Sequence, residues 1–165
     1  MTTQHQTAIA YFAGGCFWGV EHLLQKQKGV LDIAVGFMGG TTVNPSYEEV
    51  YQELTGHAET VKIVFDPTVV SYERLTKYFF EIHDPTQLNR QGPDGGERYR
   101  SEIFFTSSEQ KEIDEELINI LKSKGYNVVT KLTPASVFYP AENYHQHYYE
   151  KTGKRPYCHL YVSRF

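Results

Sequence analysis

Ala58-Glu59-Thr60-Val61-Lys62-Ile63-Val64-Phe65 is the stretch on which the fold turns. Apolar and polar residues alternate along it, the period of a strand with one face on a core. Val61, Ile63 and Phe65 share that face, and Glu59 falls on it with them. Asp66-Pro67 stops the strand. Upstream, Gly29-Val30-Leu31-Asp32-Ile33-Ala34-Val35-Gly36-Phe37-Met38 alternates in the same way and reads as another strand. Between the two lie a Gly- and Asn-Pro-containing loop, residues 39–46, and a short helix over residues 47–54 with Ser46 as its N-cap. No full crossover helix separates these strands, which argues against a purely parallel, doubly wound sheet.

Working outward, Thr7-Ala8-Ile9-Ala10-Tyr11-Phe12-Ala13 reads as a buried strand, and residues 20–28 as a helix that Gly29 ends. Ser71-Tyr72-Glu73-Arg74 nearly matches a capping box before a helix with Leu75, Tyr78, Phe79 and Ile82 on one face. His83-Asp84-Pro85 closes that helix. Residues 84–100 form a long loop, and long loops in compact domains carry function more often than not. Ser101–Thr106 is a strand, and a helix capped by Ser107 or Ser108 follows and ends near Gly125. Residues 127–132 read as a fifth strand, residues 141–150 as a short aromatic helix or turn, and residues 158–164 as a terminal strand. The order β-α-β-(short α)-β-α-β-α-β predicts an α+β fold: a two-layer sandwich with a mixed, mostly antiparallel sheet around a ferredoxin-like β-α-β-β-α-β unit. At 165 residues a single domain is expected, with residues 1–6 as a loose tail.

The net charge is -4, and no basic patch of the kind nucleic acid requires is present. No apolar run reaches membrane-spanning length, and Met1-Thr2-Thr3-Gln4-His5-Gln6 lacks the pattern of a signal peptide. The expectation is a cytoplasmic monomer. Two cysteines, Cys16 and Cys158, are too few for a disulfide framework, and neighbouring histidines lack the spacing of zinc ligands, so no metal is expected. The 13 tyrosines and 10 phenylalanines supply core volume and a stock of hydroxyl donors.

Four places hold polar groups that their context makes odd. In Gly14-Gly15-Cys16-Phe17-Trp18-Gly19, a cysteine sits at a strand-to-helix turn. Amides at a helix N-terminus favour a thiolate, the nucleophilic form; the plainer reading is a small buried apolar residue. In Gly56-His57-Ala58-Glu59, a carboxylate joins an apolar face. Burial would raise its pKa and make it an acid near neutral pH; a solvated strand end is the plainer reading. Residues 92–101 are either a charged turn or a ligand loop. Ala141-Glu142-Asn143-Tyr144-His145-Gln146-His147 is either a solvated helix or a ligand-facing one.

Together these stretches resemble one family. Gly14–Glu21, Asn44–Val50 and Thr55–Glu59 match it, as do His83–Gly92, the Asp94-x-Gly96-x-x-Tyr99-Arg100-Ser101 motif and the Ala141-Glu142-x-Tyr144-His145-Gln146 motif, in order. The chain resembles peptide methionine sulfoxide reductase A, the class that reduces the S epimer of methionine sulfoxide, free or in proteins. The resemblance implies that Cys16 attacks the sulfoxide sulfur and becomes a sulfenic acid. It makes Glu59 the acid, Tyr47 and Tyr99 hydrogen-bond donors to the sulfoxide oxygen, and Phe17 and Trp18 the walls of a methyl pocket. Asp94 and His145 would hold the substrate's backbone or amine end. Residues 133–165 become a C-terminal extension over the active site. The implied reductant is thioredoxin or a similar thiol donor, with no bound cofactor. Cys158 is the internal candidate for resolving the sulfenic acid, and a structural role stands beside that one because no glycine follows it. A thiol peroxidase would share the cysteine chemistry without needing the methyl pocket. A binding module with an aromatic cage would use Cys16 only for packing.

Overall fold

A computed structural model describes residues 6–52, 55–154 and 159–165. In chain order its elements are β1 (Ala8–Gly14), α1 (Phe17–Leu24), β2 (Val30–Met38), α2 (Tyr47–Tyr51), β3 (Ala58–Phe65), α3 (Tyr72–Ile82), β4 (Arg90–Gln91), β5 (Asp94–Gly95), a 3-10 turn (Glu97–Tyr99), β6 (Ser101–Phe105), α4 (Ser108–Ser123), β7 (Lys131–Pro134), β8 (Tyr139–Pro140), a second 3-10 turn (Asn143–His145) and α5 (Tyr148–Thr152). The main sheet runs β7-β6-β1-β3-β2-β8. Its pairs are antiparallel except β6 with β7. The inner strands β6-β1-β3-β2, with α1 and α3 as crossovers, form the expected ferredoxin-like unit.

Both faces of the central strands are covered. Phe12, Phe37, Val61, Ile63 and Phe65 meet Phe17, Leu24, Leu75, Phe79, Leu117 and Leu121 from the helices in the main core. Their strand neighbours Ala13, Met38, Ala58 and Phe104 form a smaller cluster, as the two-residue period requires. Glu59 alternates with Ala58 and so shares the helix side with Val61 and Ile63. The helices start where hydroxyl caps stand. The Ser71, Ser107 and Ser46 side chains accept the N–H groups of Arg74, Gln110 and Glu49 at 3.1, 3.2 and 3.1 Å. Glu49 returns a bond to the Ser46 N–H, completing a capping box. No helix among the described residues is long and apolar enough to cross a membrane.

Three boundaries differ from the sequence reading. α1 ends at Leu24, and residues 25–29 turn instead; the Gln27 carbonyl accepts the Val30 N–H at 3.2 Å. The strand expected at 127–132 is β7 at Lys131–Pro134, because the parallel pairing with Glu102–Phe105 sets its register. Residues 159–165 form no strand. Their backbone turns to α3, with Val162 N–H donating to the Glu81 carbonyl at 2.7 Å. The alternation that suggested a strand leaves Leu160, Tyr161 and Val162 exposed.

A buried ion pair joins the parts that carry the site. The Arg100 Nε donates to Glu102 Oε1 at 2.6 Å, its Nη2 to the Gly56 carbonyl at 3.0 Å and its Nη1 to the Glu97 carbonyl at 3.1 Å. One guanidinium thus ties β6 to the 3-10 turn ending at Tyr99 and to the entry of β3. Thr133 donates to the other Glu102 oxygen. Removing one partner of such a pair strands the other charge in the interior. Arg100→Met is expected to lose about 3–5 kcal/mol of stability in urea denaturation; a loss below about 1 kcal/mol would mean that Glu102 is solvated or otherwise neutralised.

Candidate active site

β1 delivers the chain to the site and Gly15 turns it. At φ 94°, Gly15 takes a backbone conformation that favours glycine, and a Cβ there would come within 2.6 Å of Gln91 Cβ. Cys16 then occupies the N-cap of α1, buried, and its carbonyl accepts the N–H groups of Gly19 and Val20 at 3.2 and 3.4 Å. The next amide, that of Phe17, belongs to the helix end that has no intrahelical acceptor. It donates to Glu59 Oε1 at 3.1 Å. Glu59 is 2% exposed, and its Oε2 has no hydrogen-bond partner among the described residues. Burial pushes its pKa well above the usual carboxylate range, and the neighbouring Cys16 adds to the rise; the Phe17 amide and the Arg98 cation oppose it. Its surroundings thus favour the carboxylic acid over the carboxylate.

Two tyrosines face the same space. Tyr47 is the first residue of α2, and Tyr99 the last of its 3-10 turn. Burial first, then the Glu59 charge, raises both hydroxyl pKa values, so both stay protonated donors. The loop leading to Tyr47 is fixed by His57. Its Nδ1 accepts the Gly40 N–H at 2.9 Å, and its Nε2 donates to the Thr42 carbonyl at 2.7 Å.

Aromatic rings enclose the rest. The His145 ring stacks on Tyr47 at 4.4 Å and on Trp18 at 5.6 Å, with Phe17 at 5.9 Å. Phe17 packs on Phe37 at 5.7 Å and Trp18 on Tyr148 at 3.8 Å. Burial lowers the His145 pKa and keeps the ring neutral. Its Nδ1, like Trp18 Nε1, is buried with no partner among the described residues. The structure therefore brings Cys16, Phe17, Trp18, Tyr47, Glu59, Tyr99 and His145 together. Asp94, in β5, is half-buried and close enough for its charge to act on Glu59. Cys158 lies outside the described residues. Among the described residues no three His, Cys, Asp or Glu side chains are grouped to hold a metal ion.

The arrangement holds a thiol at a helix N-terminus, a buried carboxyl beside it, two protonated hydroxyls and apolar walls. It suits a small polar group on an apolar stem, whose oxygen can be protonated while a soft atom is attacked.

Comparison with known proteins agrees with this chemistry. The model of the family described as peptide methionine sulfoxide reductase matches residues 8–165. The chain is 52% identical to the peptide methionine sulfoxide reductase MsrA of Nautilia profundicola over 153 residues, covering 93% of this chain and 88% of that one. Among solved structures it is similar to Mxr1 from Saccharomyces cerevisiae in its reduced form, with a TM-score of 0.88, 34% identity and coverage of 94% and 92%. It is also similar to Mxr1 in complex with Trx2, with a TM-score of 0.63, 25% identity and coverage of 97% and 95%.

Three residues of the site had no role in the sequence reading. Tyr148 backs Trp18, and nothing in a run of tyrosines marks which one stacks. Gln146 exchanges two hydrogen bonds of 2.8 Å with the Val35 backbone, which carries the His145 turn on the edge of β2. Arg98 lies over the rings of Tyr99 and Tyr51 at 4.3 and 4.5 Å and donates to the Tyr51 carbonyl at 2.6 Å. Its charge stabilises the Glu59 carboxylate and both tyrosinates. Arg98→Gln is expected to raise the Glu59 pKa further, read by carbon NMR titration of the labelled carboxyl; a fall would show that the cation does not act on this acid.

Proposed function

The chain belongs to the peptide methionine sulfoxide reductase family, and from that premise we propose that its pocket reduces the S epimer of methionine sulfoxide, free or in proteins, with Cys16 as nucleophile and Glu59 as acid. The observation that carries the assignment is the Glu59 carboxyl itself. One oxygen is bonded to the amide next to Cys16, and the other is buried and unpartnered among the described residues, where a substrate oxygen could meet it.

The chemistry follows from polarity. The sulfoxide S–O bond places negative charge on oxygen. Tyr47 and Tyr99 donate hydrogen bonds to that oxygen, and Glu59 gives it a proton as the Cys16 thiolate attacks sulfur. The oxygen ends on Cys16 as a sulfenic acid and methionine leaves. The substrate sulfur gains two electrons and the cysteine sulfur loses two. Phe17 and Trp18 face the terminal methyl group, which neither carries charge nor accepts hydrogen bonds. His145 Nδ1, lacking a partner among the described residues, is suited to the backbone or amine end of the substrate, with Asp94 beside it.

A second thiol condenses with the sulfenic acid, releasing water and leaving a disulfide for a dithiol donor to reduce. We assign the second thiol to Cys158 and the donor to thioredoxin, a choice that the Mxr1 complex with Trx2 supports.

Turnover with dithiothreitol on each resolved epimer tests the reading. The S epimer is expected to be reduced and Cys16→Ser to be inactive; equal activity of that variant, or preference for the R epimer, would overturn it. Glu59→Gln is expected to slow the first turnover by about 10²–10⁴-fold. The acid must be protonated to act, so the wild-type rate should fall as pH rises through the elevated Glu59 pKa. That alkaline limb should vanish in Glu59→Gln, and a limb that persists unchanged would assign the acid elsewhere.

A further inference from the structure

Arg98 does more at the site than lend its charge to Glu59. Its guanidinium carbon lies 4.3 Å from the centre of the Tyr99 ring and 4.5 Å from that of Tyr51, so one planar cation contacts two rings. From this position its Nη1 donates to the Tyr51 carbonyl at 2.6 Å. Tyr51 is the last residue of α2. The final carbonyls of a helix have no intrahelical donor, and a cation there also meets the negative end of the helix dipole. Arg98 therefore fastens the C-terminal end of α2 to the turn that carries Tyr99.

α2 depends on such a fastening. It has five residues, too few to persist as a helix on its own hydrogen bonds, and of its side chains only Val50 is fully buried. The Ser46–Glu49 capping box fixes its start, and Arg98 meets its end. The Tyr51 ring is 57% exposed, so contact with Arg98 and with Tyr47 at 6.4 Å engages it rather than core burial. On the same segment Arg100 binds inward, to Glu102 and to the Gly56 carbonyl. The turn is thus fastened in two directions: Arg100 ties it to β6 and the entry of β3, and Arg98 ties it to α2. Tyr99 stands between the two arginines in sequence.

We propose that Arg98 is a positioning residue for the reduction step: its guanidinium clamps α2 to the turn at Glu97–Tyr99 and so sets how the Tyr47 and Tyr99 hydroxyls converge on the sulfoxide oxygen. The proposal rests on the reading of those two hydroxyls as donors to that oxygen. Two donors act on one oxygen only when both reach it together. Neither tyrosine's own element fixes that geometry, since Tyr47 opens a five-residue helix and Tyr99 closes a three-residue turn. The clamp calls for a planar, forked cation. The guanidinium face lies on the rings while an N–H at its edge reaches the carbonyl; an ammonium carries the charge with neither the plane nor the fork. Charge can therefore be kept while the clamp is lost.

The test is the rate of methionine formation in a single turnover, with reduced enzyme in excess over S-methionine sulfoxide. Arg98→Lys keeps the cation and removes the fork. It is expected to slow this rate at least about tenfold, as misplaced donors do. The alkaline limb of its pH profile should stay where the wild type has it, because a cation still faces Glu59. Tyr47→Phe, which deletes one hydroxyl, should also slow the step. In the Tyr47→Phe background, Arg98→Lys should cost no more than about twofold, because Arg100 still holds Tyr99 and the clamp has no second hydroxyl to place. Tyr51→Ala removes one of the two rings against the guanidinium and leaves the backbone carbonyl. It should show the same coupling to Tyr47→Phe, and it covers the case in which Arg98→Lys does not fold. Wild-type rates in Arg98→Lys and Tyr51→Ala, or losses that multiply in full with that of Tyr47→Phe, would overturn the clamp. A displaced alkaline limb with an unchanged plateau rate in Arg98→Lys would also overturn it, leaving Arg98 to act by charge alone. A Tyr47→Phe enzyme as fast as the wild type would instead remove the hydroxyl role on which the clamp rests, and the clamp with it.

Discussion

One hydrogen bond organises this molecule: the Phe17 amide to Glu59 Oε1, at 3.1 Å. It joins the first turn of α1 to β3, two elements separated by a strand and a short helix in sequence. The amide is available because the first N–H groups of a helix have no intrahelical acceptor. The carboxyl is available because strand alternation points it at the helix layer. A polar group on that face must find a partner or incur the cost of desolvation. Half of Glu59 finds one in the amide. The other half, Oε2, finds none among the described residues, and Cys16 lies beside it.

The surroundings keep the deficit stable. Arg100 ties the entry of β3 to the turn that presents Tyr99, and His57 ties it to the loop that presents Tyr47. The two hydroxyls are thus braced from the same strand that carries Glu59. On the opposite side Gln146 takes the place of a strand residue against Val35 and carries His145 into the ring cluster. These polar braces are hydrogen bonds to main chain. Such backing holds a constellation in place better than packing alone, since rings can slide where directed bonds cannot.

The alternation in residues 58–65 identified β3 and placed Glu59 on its apolar face, and the spacing of hydroxyl caps located α2, α3 and α4. Alternation alone could not say that Glu59 was buried. That depends on β3 lying between β1 and β2 with α1 across it, a fact of topology rather than of local pattern. The same rule misled at the C-terminus. Residues 159–165 alternate as a strand would, yet pair with the end of α3 through Glu81 and Arg164, because a sheet edge is not where the arm lies. Arg98 was illegible for another reason. A charged residue in a loop of charged residues carries no local signal, and only the Tyr99 and Tyr51 rings on which it lies show that it belongs to the site.

Burial creates an apparent conflict, since charge on either buried group is disfavoured. In the proposed reaction the two groups would carry one charge between them. A thiolate at Cys16 raises the Glu59 pKa, so the acid holds its proton most firmly when the nucleophile is charged. The α1 dipole favours that location for the charge, because its positive end lies at Cys16. In the proposed reaction the negative charge would move from sulfur to the Glu59 carboxylate as the proton passes to the substrate oxygen. There the Phe17 amide and the Arg98 guanidinium, the two influences that favour the carboxylate, are already in place. On that proposal the site never holds two adjacent anions, and the groups that favour each state of charge need no movement between them.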